Sequence, residues 1–509
     1  MSIHVLNDDS LLNIFALCRP HQSNEDETID RNTHTLPGEE WSHHERWWYI
    51  LTHICQRWRR LIFASAFHLG ICLVCTYDTP VADMLAHFPA FPLVVDYADE
   101  ARGLTGKGGG GLWCALLPGP ERRDRVRRIR LLIHQPYQWS FVAMLFDGTF
   151  PRLEYLFVKL REKSNASTSL MLPDTFQAPR LRHLVLTHFG FPLASPILVI
   201  SVHLVMLSLN MVVYCLPNDL LERLSFVPRL ETLHIASTFS IPEGSSSVPW
   251  GQAPPRQTPL NTHVILANLH SFVFEGNSAY LKALLPGMTT PLLGGFQAVF
   301  FNQKIPPVSC LLSYKTTADD PDFSFGSAWF RFHHMGVSVC VCPCDGDRKY
   351  VFSLQAFCQG LNTQLSFVSQ LFDGPSPLPA SVASLSLDYC RPIVLSEPHD
   401  DSEGRPIHWC NLLRSFRNVE ILRVHGELSR DISRSLLLGS EGEPLSRVLL
   451  PQLKELQCTE MDDSADAGNA FSAFIDARGA AGHPVYLVHA TAPVLPPAIT
   501  GIFSHAYQS

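Results

Sequence analysis

The sequence has little charge and no excess of positive charge. Only 17% of its 509 residues are Asp, Glu, Lys or Arg, and 39 basic side chains stand against 47 acidic ones, which gives a net charge of −8. Nucleic-acid-binding domains usually carry a basic patch and an alkaline pI, whereas the pI here is near 6.3. We therefore expect no nucleic-acid partner.

The motifs that mark common catalytic and zinc sites are also missing. The chain contains no G-x-S-x-G nucleophile elbow and no H-E-x-x-H pair. Cys342 and Cys344, with His333 and His334 upstream, lack the paired spacings of a structural zinc site. The string VSVCVCP instead predicts a buried strand in which cysteine fills space. We expect no catalytic residues, no cofactor and no metal.

Long apolar runs are scarce, and one exception needs explanation. Residues 197–216 are mainly apolar and long enough to span a bilayer. His203 and Asn210 lie near the middle of this run, however, and polar groups are costly at that depth. Part of the run, VHLVMLSL, also fits a short strand. A membrane partner is therefore the less favoured interpretation.

The first residues lack the basic and apolar regions of a secretory signal. We accordingly expect reduced cysteines and a cytoplasmic location, a nuclear one, or both.

Two helical patterns flank a polar insert near the start of the chain. Asn7 is suited to cap a helix whose first turn carries Asp8 and Asp9. Residues 19–45 are polar and without periodicity, which predicts a loop or disordered insert. In RWWYILTHICQRWRRLI, apolar residues recur at spacings of three and four from Trp47 to Ile62, which predicts one amphipathic helix.

At these residues the sequence resembles an F-box. That family opens with Leu-Pro and a Leu-x-x-Ile-Phe helix and closes with a Val-Cys-Arg-x-Trp-Arg-x-Leu helix. The counterparts here are Leu6, Leu11–Phe15 and Ile54–Leu61, with Asn7 at the position where proline is usual. The long insert and the later phrase FPLVVDY resemble the expanded F-box-like families of mushroom-forming fungi.

The resemblance implies a module that binds a Skp-type adaptor and, through it, a cullin scaffold. It assigns the apolar surface and core of that module to eight residues: Leu6, Leu11, Leu12, Ile14, Phe15, Leu51, Cys55 and Trp58. Large anchors such as Trp58 are expected to carry most of the affinity.

A short phrase recurs through the rest of the chain: Leu-x-x-Leu-x-apolar, often preceded by proline. Its first aliphatic residue falls at positions 126, 153, 181, 204, 230, 269, 293, 382, 419 and 453. Five of the first six intervals are 23–28 residues long, which is the period of leucine-rich repeats. The alternation within each phrase predicts a short strand with one buried face, and the proline is expected at the strand entry. PNDLLERLSF and SAYLKALLPG, between phrases, predict helices.

These patterns predict an α+β protein, with a helical F-box followed by an irregular leucine-rich-repeat α/β solenoid. The interval of 89 residues between positions 293 and 382 is expected to hold degenerate units or an insertion, with strands whose apolar side is built from phenylalanine. The predicted divisions are residues 1–66 for the F-box-like domain with its insert at 19–45, 67–124 for a linker and first irregular repeats, 125–495 for the solenoid, degenerate at 300–380, and 496–509 for a tail.

The two halves together imply, by family resemblance, a non-catalytic substrate-recognition subunit of a cullin-RING (SCF-type) ubiquitin ligase. In that role the F-box binds the adaptor and the repeats bind a target protein that the sequence does not identify. Two alternatives stay open. The first is a leucine-rich-repeat scaffold with a degenerate F-box and no ligase role. The second is an enzyme whose site is assembled from residues distant in sequence, or a membrane protein that spans at 197–216.

Overall fold

The structure is a computed structural model, and it describes fifteen stretches of the chain. They are residues 6–19, 47–98 without 67, 78, 80 and 89, 120–134, 139–160, 171–189, 196–212, 216–237, 262–301, 325–343, 351–372 without 359, 378–390, 405–425, 428–438, 449–459 and 465–489. Most of the predicted insert at 19–45 and the whole predicted tail at 496–509 lie outside the described residues. So do residues 108–111, a run of glycines, and most of residues 237–260, whose Ser, Pro and Gln content predicts a loop.

The chain is a mixed α/β protein that divides into two compact units. The first contains Met1–Cys215, Phe226–Leu230 and Leu495–Ser509, and the second contains Leu216–Ser225 and Glu231–Val494. The domain boundaries expected after residues 66, 124 and 495 stay predictions.

Among the described residues, the first unit opens with three helices and continues with a parallel sheet. Its helices are α1 (Asp8–Leu17), α2 (Trp47–Thr52), α3 (Gln56–Ala64), α4 (Val81–His87), α5 (Pro120–Arg123), α6 (Trp139–Leu145) and α7 (Ile197–Ile200). Its strands are β1 (Leu73–Cys75), β2 (Leu93–Tyr97), β3 (Val126–Ile133), β4 (Tyr155–Leu160), β5 (His183–Thr187) and β6 (Met206–Val212). These six strands pair in chain order, and every pairing is parallel.

The second unit also alternates strands with helices. Its helices are α8 (Pro217–Leu224), α9 (Ser278–Leu284), α10 (Leu361–Phe372), α11 (Leu378–Ser381), α12 (Arg405–Arg414), α13 (Leu428–Leu438) and α14 (Ala465–Ala480), with a 3₁₀ turn at Leu285–Gly287. Its strands are β7 (Thr232–Ser237), β8 (Val264–Ile265), β9 (Ser271–Gly276), β10 (Met288–Thr289), β11 (Gly295–Phe301), β12 (Phe325–His333), β13 (Gly336–Pro343), β14 (Val351–Phe357), β15 (Ser384–Cys390), β16 (Ile421–His425), β17 (Glu455–Thr459) and β18 (Tyr486–His489). The main sheet has the order β7-β9-β11-β14-β13-β12-β15-β16-β17-β18, and β8 pairs separately with β10.

All ten predicted phrases form strands. Nine of those strands begin two residues after the first aliphatic residue of the phrase, while β3 begins at that residue. In all ten phrases this aliphatic side chain is at most 4% exposed. A tight turn precedes the strand: the amide of Leu153 donates to the carbonyl of Phe150 at 3.2 Å, and that of Leu181 to Ala178 at 3.1 Å. Pro151 therefore sits at the second position of the turn, which its fixed φ favours, rather than at the strand entry itself.

The buried side chains of these strands stack in register. In the first unit, Ile129 pairs with Leu156, Leu156 with Leu184, and Leu184 with Leu207, and all four side chains are fully buried. Each strand alone would expose this apolar row, so its burial requires the neighbouring strands and the covering helices.

Between β11 and β15 the sheet departs from chain order. Strand β14 pairs parallel with β11, β13 runs antiparallel to both β14 and β12, and β12 pairs parallel with β15. The expected insertion is therefore a group of three strands that contains one reversed strand. Phe330 and Phe332 are fully buried in β12, which confirms that phenylalanine replaces leucine there. Cys340 is buried in β13, as predicted for VSVCVCP.

The apolar run at 197–216 does not form a single helix. Its first residues form the four-residue helix α7, and Met206–Val212 forms β6. The short strand favoured for VHLVMLSL is confirmed, and the alternative of a spanning helix is contradicted there, because Met206–Val212 is a strand whose backbone pairs with β5. Within the residues that the structure describes, no helix has the length and apolar character needed to cross a membrane.

Gly336 allows β13 and β14 to approach each other closely. A Cβ atom at this position would overlap the carbonyl oxygen of Ala356. We predict that Gly336→Ala lowers the free energy of unfolding by about 1–3 kcal/mol. Gly468→Ala in α14 is the control, because a Cβ there meets no atom within 4 Å, and alanine should stabilise that helix by about 0.5–1 kcal/mol. Urea unfolding followed by circular dichroism compares the two, and equal effects would contradict this account.

His333, at the end of β12, should make the protein sensitive to acid. Burial, with smaller contributions from His334 and Arg331, lowers the pKa of His333 to about 4. The unfolded chain then binds an extra proton between about pH 6.5 and 4, so this group costs the native state stability as the pH falls, up to about 3 kcal/mol. We predict a flatter dependence of the urea midpoint on pH for His333→Gln. The exposed neighbour provides the control, His334→Gln, and an equally flat profile for that variant would argue against the assignment.

Candidate functional site: the N-terminal helices and the polar sheet face

Asn7 begins α1 as predicted. Its side-chain oxygen accepts a hydrogen bond from the amide of Ser10 at 2.8 Å, and Asp8 and Asp9 lie in the first turn. These carboxylates are stabilised by the positive end of the helix dipole. The residue found in place of the usual proline thus has a clear local function as a helix cap.

The prediction of a single helix over Trp47–Ile62 is wrong, because these residues belong to two helices, α2 and α3. Cys55 is extended, and its Sγ accepts a hydrogen bond from the amide of Trp58 at 3.5 Å, so it caps α3. The guanidinium of Arg59 donates to the carbonyl of Thr52 at 3.0 Å, at the end of α2. The cap and this bond replace the hydrogen bonds that the interrupted helix loses.

Arg57 links α3 to the beginning of α1. Its Nη2 donates to the backbone carbonyl of Leu6 at 2.7 Å and to Oδ1 of Asp8 at 2.6 Å. The ion pair is largely exposed and is worth little by itself. The bond to the Leu6 carbonyl adds a charge-assisted contact between segments that are 51 residues apart in sequence.

The three helices have an apolar interior of their own. Phe15 packs edge-on against Trp58, with ring centroids 4.8 Å apart. Trp48 packs against Phe63 and against Phe91, which lies two residues before the beginning of β2. Leu11, Phe15, Trp48, Trp58 and Ile62 are all buried.

Several large apolar side chains of the same helices face solvent. Leu17 is 85% exposed, Ile50 74% and Ile54 55%, and Ile14 and Tyr49 are each 37% exposed. Leu17 and Ile50, the two most exposed, keep most of their contact with water on folding. Because the interior of the three helices is already filled, we call Ile14, Leu17, Tyr49, Ile50 and Ile54 the exposed apolar set.

The eight predicted site residues separate into three groups by burial. Leu11, Phe15 and Trp58 are interior, and Leu6, Leu12, Leu51 and Cys55 are half-buried. Only Ile14 is exposed. Trp58 therefore supports the helices from within, and its expected role as the main anchor for a partner does not fit its burial against Phe15.

Sequence reasoning missed Leu17, Tyr49, Ile50 and Ile54 as surface residues. Ile50 lies three residues after Trp47 and four before Ile54, so the apolar spacing gives no signal that it is exposed. For Ile54 the exposure was hidden, because the helix break at Cys55 rotates the residues before it relative to those after it.

A second group of functional candidates lies on one face of the second unit's sheet. Arg331 donates to Asp388 on the neighbouring strand at 2.7 Å. Arg423 donates to Ser384 at 2.6 Å and to Gln457 at 2.7 Å, on the strands to either side. These cross-strand bonds hold the polar side chains in fixed positions.

The chain does contain one C-x-x-C string, Cys72–Cys75, which would suggest a redox or metal motif. Cys72 packs with Val74 and Val94, and Cys75 points to the other side of β1, because side chains alternate along a strand. Burial raises the pKa of Cys75 to about 12, so its thiolate is strongly disfavoured. In the part of the chain that the structure describes, no group of three or more His, Cys, Asp or Glu side chains is arranged to hold a metal ion.

No protein-family model matches the chain, and no curated protein matches it.

The link through Arg57 can be tested by amide hydrogen exchange. We predict that Arg57→Ala speeds exchange in α1 by an amount equivalent to about 1 kcal/mol, because the bonds to Leu6 and Asp8 are lost. Arg60→Ala, an exposed position on the same helix, is the matched control. Equal exchange rates in the two variants would show that Arg57 does not hold α1.

Proposed function

We propose that this protein is the substrate-recognition subunit of an SCF-type ubiquitin ligase, in which α1–α3 form an F-box that binds a Skp-type adaptor. The observation that carries the proposal is the exposed apolar set. Three helices that already have a filled interior still present Leu17, Ile50 and Ile54 to water. Large apolar side chains that stay exposed beside a buried interior are candidates for a protein interaction site.

The local structure of α1–α3 supports the same proposal. The Leu-x-x-Ile-Phe string forms α1, and the Cys-x-Arg-Trp-Arg string forms the beginning of α3. Phe15 and Trp58, the aromatic residues of these two strings, contact each other. The motif residues thus serve the interior, while their less regular neighbours supply the surface.

The repeated strands support an irregular leucine-rich-repeat solenoid. Nine of the ten strands begin two residues after a buried aliphatic residue, and the first six strands of the sheet pair in chain order with parallel register. This is the arrangement that stacked strand-helix units require. The three strands β12–β14 interrupt it, so the array is a leucine-rich one with an insertion.

In this function the protein performs no bond chemistry. The F-box holds the chain on the ligase, and the sheet holds a target protein, which raises the effective concentration of the target beside the transferase. The fixed polar face around Arg331, Asp388, Arg423 and Gln457 is suited to target binding, because its side chains are ordered before the partner arrives.

The competing function is an interaction scaffold with no ligase role. The observation that favours it is Asn7, since the proline that is usual in the family is replaced by a helix cap. The two functions share the sheet and differ only in whether α1–α3 bind the adaptor.

The exposed apolar set provides the test. We predict that the double variant Ile50→Asp, Ile54→Asp weakens binding of a purified Skp-type adaptor by about tenfold or more, because charged groups would have to be desolvated at the interface. The chain offers a matched control in Ile265→Asp, Ile407→Asp, two isoleucines that are 63% and 62% exposed. Binding is measured by isothermal titration with the full chain.

Unchanged circular dichroism in both variants establishes that neither change unfolds the protein. If the unaltered chain bound no adaptor, the scaffold function would replace the ligase function. Equal weakening by the control pair would show that α1–α3 are not the binding site.

A further inference from the structure

Four arginines lie along the strand-entry edge of the first unit's sheet. Arg152 and Arg180 occupy the third position of the turns that precede β4 and β5, and Arg229 occupies the same position in the turn at 227–230. Arg182 directly follows the second of these turns. We call Arg152, Arg180, Arg182 and Arg229 the arginine row.

Neighbouring contacts hold the turns side by side. The amide of Phe150 donates to the carbonyl of Gln177 at 2.8 Å, just before the turns of Arg152 and Arg180. His203, in the turn before β6, lies between Arg180 and Arg229 along this edge, and Nη1 of Arg229 is 3.3 Å from its Nδ1. With strands about 4.8 Å apart, the arginine row extends over about 15 Å.

The positive charge of this row faces solvent. All four arginines and His203 are exposed. Among the described residues, no carboxylate lies within ion-pair distance of any of the four guanidinium groups. Glu154 and Glu231 each lie two residues after a member of the row, and Glu154 is held by Arg127 at 2.8 Å.

The turn itself does not require arginine. The same hydrogen bond closes the turns before β9, β11 and β17 in the second unit. Their third positions hold Asn268, Leu292 and Gln452. Arginine at three turns of the first unit is therefore not explained by the needs of the backbone.

The row is adjacent to exposed apolar side chains. Val202 is 46% exposed at the second position of the turn that contains His203, and Phe226 is 38% exposed just before the turn of Arg229. A row of cations only one residue deep matches a linear anion better than a flat one. The absence of a run of exposed aromatic rings beside these four arginines, among the described residues, disfavours a nucleic-acid strand, whose bases need stacking partners.

We propose that the arginine row is a docking site for an acidic, extended segment of a partner protein. Such a segment advances about 3.3 Å per residue, so about five residues cover the row and place carboxylates opposite its guanidinium groups. The exposed Val202 and Phe226 would receive an apolar residue of the same segment. This binding does not depend on the adaptor, because the row is separate from the exposed apolar set.

The probe is a fluorescently labelled oligoglutamate of about ten residues, and its binding to the full chain is measured by anisotropy at several salt concentrations. The triple variant Arg152→Gln, Arg180→Gln, Arg229→Gln is expected to weaken binding by about tenfold or more. The matched control is Arg60→Gln, Arg417→Gln, Arg434→Gln, which removes the same charge from exposed positions elsewhere and should bind like the unaltered chain.

Three results would overturn the proposal. The first is no binding of oligoglutamate at low salt, and the second is an equal loss of binding in the control triple variant. The third is an oligothymidylate that binds more tightly than oligoglutamate and loses its binding in the arginine-row triple variant. Adaptor binding separates this proposal from the proposed function, since it should be unchanged in the arginine-row triple. If the adaptor did not bind the unaltered chain, the proposed function would fail, and the oligoglutamate measurement would still test the arginine row.

Discussion

One repeated constraint organises the sheet: a buried aliphatic side chain, held at the end of a tight turn, two residues before a strand begins. The amide of that residue closes the turn, as for Leu153 and Leu230, and its side chain enters the interior. Turn and burial together fix where each strand starts and which face it buries, because a shift by one residue would turn the apolar row outward. The arginine row and the polar sheet face both take their positions from this register.

The N-terminal helices follow the same logic on a smaller scale. Caps at Asn7 and Cys55 fix where α1 and α3 begin, and the Phe15–Trp58 contact sets their packing. With the interior complete, Leu17, Ile50 and Ile54 remain exposed. The interior and the exposed apolar set are therefore different residues of one short segment.

Local signals in the sequence were sufficient where one residue type decides the structure. The ten phrases became strands, the cap at Asn7 formed, and phenylalanine replaced leucine in β12. The order β11-β14-β13-β12-β15 could not be predicted, because strand order depends on contacts distant in sequence. In the candidate site, the helix break at Cys55 could not be predicted from periodicity. One continuous helix and two helices separated by a cap residue show the same apolar spacing in the sequence.

The central claim is that α1 and α2 present a binding surface to a Skp-type adaptor while their interior is already complete. Hydrogen–deuterium exchange of the full chain with and without the purified adaptor tests it most directly. The account predicts slower exchange in residues 11–17 and 47–54 and unchanged exchange in the strands of both units. Protection confined to the sheet, or no protection in these two helices, would contradict it.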